Sequence, residues 1–116
     1  MERNFDLIRN ILRIVEAAPA NTVLQANDFK IEGGDLDTVI GHIDLLIKAG
    51  LLDGKVIKTM RGLSGVLITG LTWTGHEFLS AARDDTVWAK AKDKFFKGAA
   101  SFTFDLVKKW LESQLV

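Results

Sequence analysis

The chain has 116 residues, of which 47% are hydrophobic, and its 15 Lys and Arg balance its 15 Asp and Glu to a formal net charge of zero. A chain of this length fits a single domain that buries roughly two-thirds of its surface. Cysteine is absent, which excludes disulfides, thiolate zinc sites and cysteine nucleophiles. The zero net charge argues against strong nucleic-acid binding, because proteins that neutralise phosphates usually carry a clear positive excess.

The first predicted element is a helix over residues 5–17. Apolar residues recur there at helical spacing. Pro19 ends the helix, because proline cannot continue it and also restrains the residue before it. Two short β-prone pieces follow, Thr22–Leu24 and Phe29–Ile31, with turn-forming residues at 25–28 between them.

A second helix is predicted over Leu36–Ala49. Asp35 is its candidate N-cap, because a short carboxylate side chain there can accept a hydrogen bond from a free amide of the first turn. Gly50 follows the helix at the position where many helices end with a residue in the left-handed backbone conformation. The glycine allows the chain to reverse tightly into the element that follows.

A β-hairpin is predicted next, with strands Val56–Met60 and Val66–Trp73 and a tip at Arg61–Gly65. Three more helices are then predicted. The first runs from Thr72 or Thr74 to Arg83, and the second, capped by Asp84 and Asp85, runs from Thr86 to Lys97. A break of small residues at Gly98–Ser101 precedes the third, which runs from Thr103 to Gln114.

This order of elements predicts an α+β fold that is mostly helical. A helix followed by Ala49-Gly50-Leu51-Leu52 and a hairpin is typical of a winged helix-turn-helix core, in which the hairpin is the wing. We therefore expect a winged-helix-like core over residues 1–85. Residues 86–116 are expected to form a C-terminal helical extension that packs on the core or on a second copy.

Two segments carry a family resemblance. His42 to Leu52 looks like the end of a winged-helix recognition helix with the strand after it, and the motif Leu71-Thr72-Trp73-Thr74-Gly75-His76-Glu77-Phe78-Leu79 is more particular. Together with Arg83 to Trp88, this motif resembles a family of small uncharacterised proteins from bacteria and their prophages, catalogued as a domain of unknown function. The resemblance runs from the first helix through Trp88. It implies a winged-helix-like core and brings no activity with it.

Candidate nucleic-acid contacts lie on the second helix and on the wing. Thr38 and His42 are the polar residues of the helix that could face base edges, and Lys55, Lys58 and Arg61 on the wing could contact phosphate. The helix is nevertheless acidic and carries apolar residues where DNA readers often carry polar ones. We expect any DNA contact to be mostly to the phosphate backbone.

The sequence does not predict an enzyme. His42 and His76 are the only histidines, and neither forms part of a metal-ligand or nucleophile pattern. We expect no metal, no cofactor and no small-molecule substrate. The first residues interrupt any apolar run, so no signal peptide is expected, and no stretch is apolar for the roughly 20 residues that a membrane span needs. A cytoplasmic location is the expectation.

A homodimer is predicted from the supply of large apolar side chains after residue 85. Burying them between two copies would follow the commonest route to a soluble oligomer. The alternative is that both C-terminal helices complete the core of one chain. The residues expected at an interface with a second copy or another partner are Leu45, Ile47, Trp88, Phe95, Phe96, Trp110 and Leu111.

Two hypotheses about function therefore stand nearly level. The first is a nucleic-acid-binding accessory or regulatory protein that uses the wing. The second is a protein-interaction module, such as a prophage-encoded protein that binds and modulates a host complex of defence or transcription. The acidic second helix favours the second hypothesis. The precedent of the winged-helix fold favours the first, by analogy alone.

Overall fold

The computed structural model describes residues 1–31, 34–96 and 103–114. The elements, in chain order, are α1 (Phe5–Ala17), β1 (Leu24–Gln25), a short 3₁₀-helix (Ala26–Asp28), α2 (Leu36–Lys48), β2 (Leu52–Thr59), β3 (Gly62–Leu71), α3 (Trp73–Ala81), α4 (Asp85–Ala91), a π-helical turn (Lys92–Phe96) and α5 (Phe104–Gln114). This confirms the predicted α+β class, and the arrangement is compatible with a winged-helix-like core.

Helix α1 begins and ends where the sequence predicts. The side chain of Asn4 accepts a hydrogen bond from the Leu7 amide at 3.1 Å and so caps the first turn. The helix stops at Ala17, before the extended residue that precedes Pro19. Its buried face consists of Leu7, Ile8, Ile11, Leu12 and Val15.

Helix α2 is closed at both ends by its own sequence. Asp35 accepts a hydrogen bond from the Thr38 amide at 2.8 Å, which confirms the predicted N-cap. At the other end Gly50 has a positive φ of 81°. The Leu51 amide then donates back to the Leu46 carbonyl at 2.9 Å, the pattern of a Schellman C-cap. The chain therefore turns directly from α2 into β2.

The three strands form one antiparallel sheet in the order β1-β3-β2. Strand β1 pairs with β3 only at Leu24 and Gln25, opposite Ile68 and Leu67. The two long strands pair along their whole length, with register shifts after Asp53 and after Ile57. The predicted strand at Phe29–Ile31 is absent from the described sheet. Phe29 is instead a core residue at 2% exposure, directly after the 3₁₀-helix.

The predicted wing tip at Arg61–Gly65 is wrong. Strand β3 already begins at Gly62, and the turn consists of Met60 and Arg61 alone. Gly62 has a positive φ of 104°, a conformation that glycine adopts without strain. The return strand can therefore start at once, and the hairpin is longer and its tip narrower than the sequence predicts.

The chain divides into two compact units, Met1–His76 and Glu77–Val116. In the first, the apolar faces of α1, α2 and the sheet supply the core. In the second, Phe78 meets Trp88 and Phe104 edge-on, with ring centroids 6.3 and 5.2 Å apart. The division predicted after residue 85 stays a prediction.

The C-terminal helices differ in detail from the predicted ones. Asp84 accepts a hydrogen bond from the Val87 amide at 2.9 Å and caps α4, as predicted. The helix then widens into the π-helical turn, which its apolar spacing does not reveal. The predicted break at Gly98–Ser101 lies outside the described residues. Among the helices that are described, none combines the length and hydrophobicity that crossing a bilayer requires.

Candidate nucleic-acid interface

The three wing cations are distributed from the middle of the hairpin to its tip. Lys55 and Lys58 belong to β2, and Arg61 is the second residue of the turn. All three side chains are exposed. In the described part of the chain none of them forms an ion pair. Residues 54–75 contain no Asp or Glu, so the whole hairpin beyond residue 53 carries positive charge only.

Three lysines on α2 and α5 are held in ion pairs instead. Lys48 pairs with Asp44 at 2.8 Å along α2. Lys109 pairs with Asp105 at 3.1 Å along α5. Lys108 lies between two glutamates, 3.5 Å from Glu77 and 3.9 Å from Glu112. These pairs neutralise charge locally, whereas the hairpin cations remain available to a ligand.

The turn that joins the two strands is held by one side chain. Thr59 Oγ1 accepts a hydrogen bond from the Arg61 amide at 3.3 Å and donates one to the Gly62 carbonyl at 3.3 Å. Met60 lies between these residues and makes no contribution to the core, with its whole surface exposed (106%). The turn backbone therefore holds an exposed apolar residue between Lys58 and Arg61.

The predicted helix contacts do not form a base-reading face. His42 is fully buried (0% exposed). Its Nε2 accepts from the Asn4 amide at 2.8 Å, and its Nδ1 lies 2.8 Å from the Thr38 carbonyl, to which it must then donate. These partners assign a neutral ring in which both nitrogens are satisfied.

Thr38 is also engaged within the helix. Its amide and its hydroxyl donate to the two carboxylate oxygens of Asp35 at 2.8 and 3.1 Å. These hydrogen bonds, first that of the amide and then that of the hydroxyl, lower the pKa of Asp35 below its ordinary value of 3.8. The start of α2 therefore keeps a negative charge where a DNA-reading helix would approach phosphate.

The middle of α2 is covered by the N-terminal segment. A Cβ at Gly41 would come within 2.6 Å of the Met1 sulfur, so Met1 lies directly over the helix backbone there. Asn4 is tied to the same helix through His42. The face that the winged-helix analogy assigns to the major groove is thus partly occupied by the chain itself.

The predicted interface residues do not share one environment. Trp88 and Leu111 are buried within a single chain, at 1% and 0% exposure. Phe95 and Trp110 are half-buried and meet edge-on, with centroids 5.7 Å apart. Leu45 and Ile47 on α2 are also half-buried, and the side chain of Phe96 lies outside the described residues. The homodimer stays a prediction, and the surface left for it is smaller than the sequence suggests.

Two exposed residues escape the sequence reasoning. Met60 reads as the end of a strand, although Gly62, two residues later, is the kind of residue that marks a turn. Trp73 reads as a strand residue, yet it is the first residue of α3 and is 81% exposed. Thr72 before it caps that helix by accepting from the Gly75 amide at 2.9 Å. A threonine three residues before a glycine amide is the signal that marks this helix start.

Other kinds of site find little support in the described residues. No group of three or more His, Cys, Asp or Glu side chains there could hold a metal ion. A groove of about 410 Å³ lies beside the 3₁₀-helix and the start of α2. Among the lining residues that the structure describes, Lys30 is the one ionisable side chain, so these residues offer no pair of groups for acid–base chemistry.

Comparison with known proteins identifies the family of the chain. The model of the family described as "Hypothetical protein (DUF2513)" matches residues 2–101. An uncharacterized protein of Haemophilus influenzae is 36% identical over 109 residues, which cover 93% of this chain and 90% of the relative. No solved structure matches. The resemblance carried by the motif around Trp73 is therefore confirmed, and the chain belongs to the DUF2513 family.

Proposed function

We propose that the chain is a non-enzymatic nucleic-acid-binding module, of an accessory or regulatory kind, that holds the phosphate backbone through its β-hairpin. The observation that carries the proposal is the set of three unpaired cations, Lys55, Lys58 and Arg61, on a segment without carboxylates. An unpaired cation can bind phosphate without first losing a protein partner. Each such contact also releases counterions from the nucleic acid, which favours binding.

The same surface limits how the nucleic acid is read. Base readout in the major groove requires exposed Arg, Asn, Gln or Lys side chains on the helix that enters the groove. On α2, His42 is buried and Lys48 is paired with Asp44. Contacts should therefore be to phosphate, and affinity should vary little with sequence.

The salt dependence of binding tests this proposal. Three phosphate contacts give a slope of log K against log salt of about −2.7, which is roughly a fortyfold loss of affinity between 50 and 200 mM salt. We expect the triple variant Lys55→Gln, Lys58→Gln, Arg61→Gln to bind a duplex far more weakly, with a slope near zero. Fluorescence anisotropy of a labelled duplex measures both quantities.

The matched control removes the same charge from other places. The variant Lys30→Gln, Lys90→Gln, Lys109→Gln also loses three positive charges, at exposed positions outside the hairpin. It should keep most of the affinity and the slope of the unaltered protein. If the two triple variants weaken binding equally, overall charge and not the hairpin determines binding, and the proposal is wrong.

A protein-interaction module is the second candidate, and Trp73 favours it. Tryptophan is enriched among the residues that dominate protein–protein binding energy. Trp73 is 81% exposed at the start of α3, where Thr72 holds the backbone in place. A solvated indole on a capped helix backbone can bury a large area against a partner, and it has only two side-chain torsions to order. The partner would be a protein of the host cell.

A photo-crosslinking amino acid at position 73 tests this second candidate. The matched control places the same amino acid at position 23, because Val23 is 52% exposed in the same unit. A host protein that crosslinks from position 73 and not from position 23, and that binds the purified chain but not its Trp73→Ala variant, supports the candidate. Equal crosslinking from both positions contradicts it.

A further inference from the structure

The outer end of the hairpin reaches beyond the packed sheet. Strand β1 supports β3 only at Leu67 and Ile68. Among the side chains of β3 that the structure describes, Val66 is the buried one nearest the tip, at 2% exposure. On the opposite strand Ile57 is already 43% exposed. At about 3.3 Å per residue, residues 57–60 extend roughly 10 Å beyond this support. The floor of a DNA minor groove lies only about 7.5 Å deep.

The side chain at the apex is apolar, although its neighbours are charged. Met60 is completely exposed, and the unpaired Lys58 and Arg61 flank it. A methionine in water at the end of a turn gains nothing for folding, since it has no core to enter. Its surface is removed from water only when a ligand covers the tip. That ligand must also carry negative groups that can pair with Lys58 and Arg61.

We propose that Met60 inserts into the minor groove of duplex DNA as a wedge between two base pairs, with Lys58 and Arg61 on the phosphates at either side. This inference rests on the proposed function. Proteins that bind the minor groove insert apolar side chains of this kind and kink the duplex. Methionine is suited to the task, because its unbranched, polarisable side chain adapts to an irregular gap.

The backbone at the tip is prepared for this contact. The two hydrogen bonds of Thr59 fix the turn around Met60. The register shift after Ile57 adds local twist to the strand pair. Because the turn backbone is already held, binding costs little backbone entropy, and only the Met60 side chain has to become ordered. The duplex, and not the protein, should therefore be the partner that changes shape.

DNA bending measured by energy transfer between dyes at the two ends of a 30-base-pair duplex tests the wedge. We expect the unaltered protein to shorten the end-to-end distance, most strongly on duplexes with a central TA step, which unstack most easily. Met60→Ala should bind about tenfold more weakly and leave the bound duplex straight. Val23→Ala, which also shortens an exposed apolar residue of the first unit, should bind and bend like the unaltered protein.

A charge variant separates the wedge from the phosphate contacts. Lys58→Gln should lower the salt slope by about one and still bend the duplex once bound. Thermal melting should show the same midpoint for all three variants, because none of the replaced side chains belongs to the core. This control distinguishes loss of binding from loss of fold.

The outcomes separate the two proposals. Binding without bending, or bending that survives Met60→Ala, overturns the wedge and leaves the phosphate-binding hairpin standing. Preference for a single strand over a duplex also overturns the wedge. If the unaltered protein binds no nucleic acid at 50 mM salt, the proposed function fails and the wedge fails with it. The exposed tip would then belong to a protein interface.

Discussion

The hydroxyl of Thr72 lies 2.6 Å from the carbonyl oxygen of Gly50 and donates a hydrogen bond to it. The Thr72 amide donates to the next carbonyl, that of Leu51, at 3.1 Å. The end of β3 is thereby tied to the end of α2. The same hydroxyl accepts from the Gly75 amide and starts α3. One side chain thus joins α2, β3 and α3.

Replacing Gly75 by alanine should destabilise the protein strongly. A Cβ there would overlap the carbonyl oxygen of Leu51, which is backbone and cannot move aside cheaply. Forcing an extra methyl group into a packed site costs about 1–3 kcal/mol, and we expect the upper end of that range. Urea denaturation measures the change. Gly70→Ala is the control, because nothing lies within 4 Å of a Cβ at Gly70; a similar loss there would contradict the explanation.

His42 should contribute to stability through its two hydrogen bonds. His42→Leu fills the buried space but leaves the Asn4 amide without its acceptor, which costs about 1–3 kcal/mol. His42→Gln can accept from Asn4 and donate to the Thr38 carbonyl, so it should be the milder change. Thermal or urea unfolding of both variants checks the order. Equal losses would show that shape, and not hydrogen bonding, selects the histidine.

Asp35 should make stability depend on pH in the acid range. Its pKa in the folded protein is lowered by the hydrogen bonds from Thr38. The stabilisation is therefore fully present above the unfolded value near 3.8, and it is lost as the pH falls through the lower, folded value. The difference in unfolding free energy between the unaltered protein and Asp35→Ala should be constant near neutral pH and shrink below pH 4.

The matched variant for this pH dependence is Asp35→Asn. Asparagine is also a good N-cap but does not titrate. Its difference from Asp35→Ala should therefore not depend on pH. If the difference in unfolding free energy between Asp35→Asn and Asp35→Ala also shrinks in acid, another carboxylate causes the effect.

Self-association is tested by light scattering at tens of micromolar protein. A homodimer that uses the half-buried pair Phe95 and Trp110 should become monomeric in Trp110→Ala with little loss of stability. Leu111→Ala should instead destabilise the fold by about 2–5 kcal/mol, because Leu111 is completely buried within one chain. A monomeric mass for the unaltered protein would overturn the predicted homodimer.

The helix boundaries could be predicted because their signals are local. Pro19 ends α1, and Asp35 and Asp84 cap their helices through amides only three residues away. Gly50 closes α2 in the same local way. None of these features requires knowledge of the rest of the chain.

The candidate site could be predicted only in part. The wing cations are visible in the sequence, but the position of the turn depends on which residues of β2 and β3 pair, so the sequence alone predicts a tip that lies too late in the chain. The burial of His42 depends on Asn4, 38 residues earlier in the chain. Contacts over such a separation leave no periodic pattern that a single sequence can reveal.

The narrow turn at Met60 and Arg61 has a consequence for which substitutions the fold tolerates. Its side chains add nothing to the core, and its shape is set by Thr59 and by a glycine with free space around it. Substitutions at the two apex positions can accumulate without an energetic penalty on folding. A change of either side chain therefore alters the surface at the tip and leaves the packing of the core unchanged.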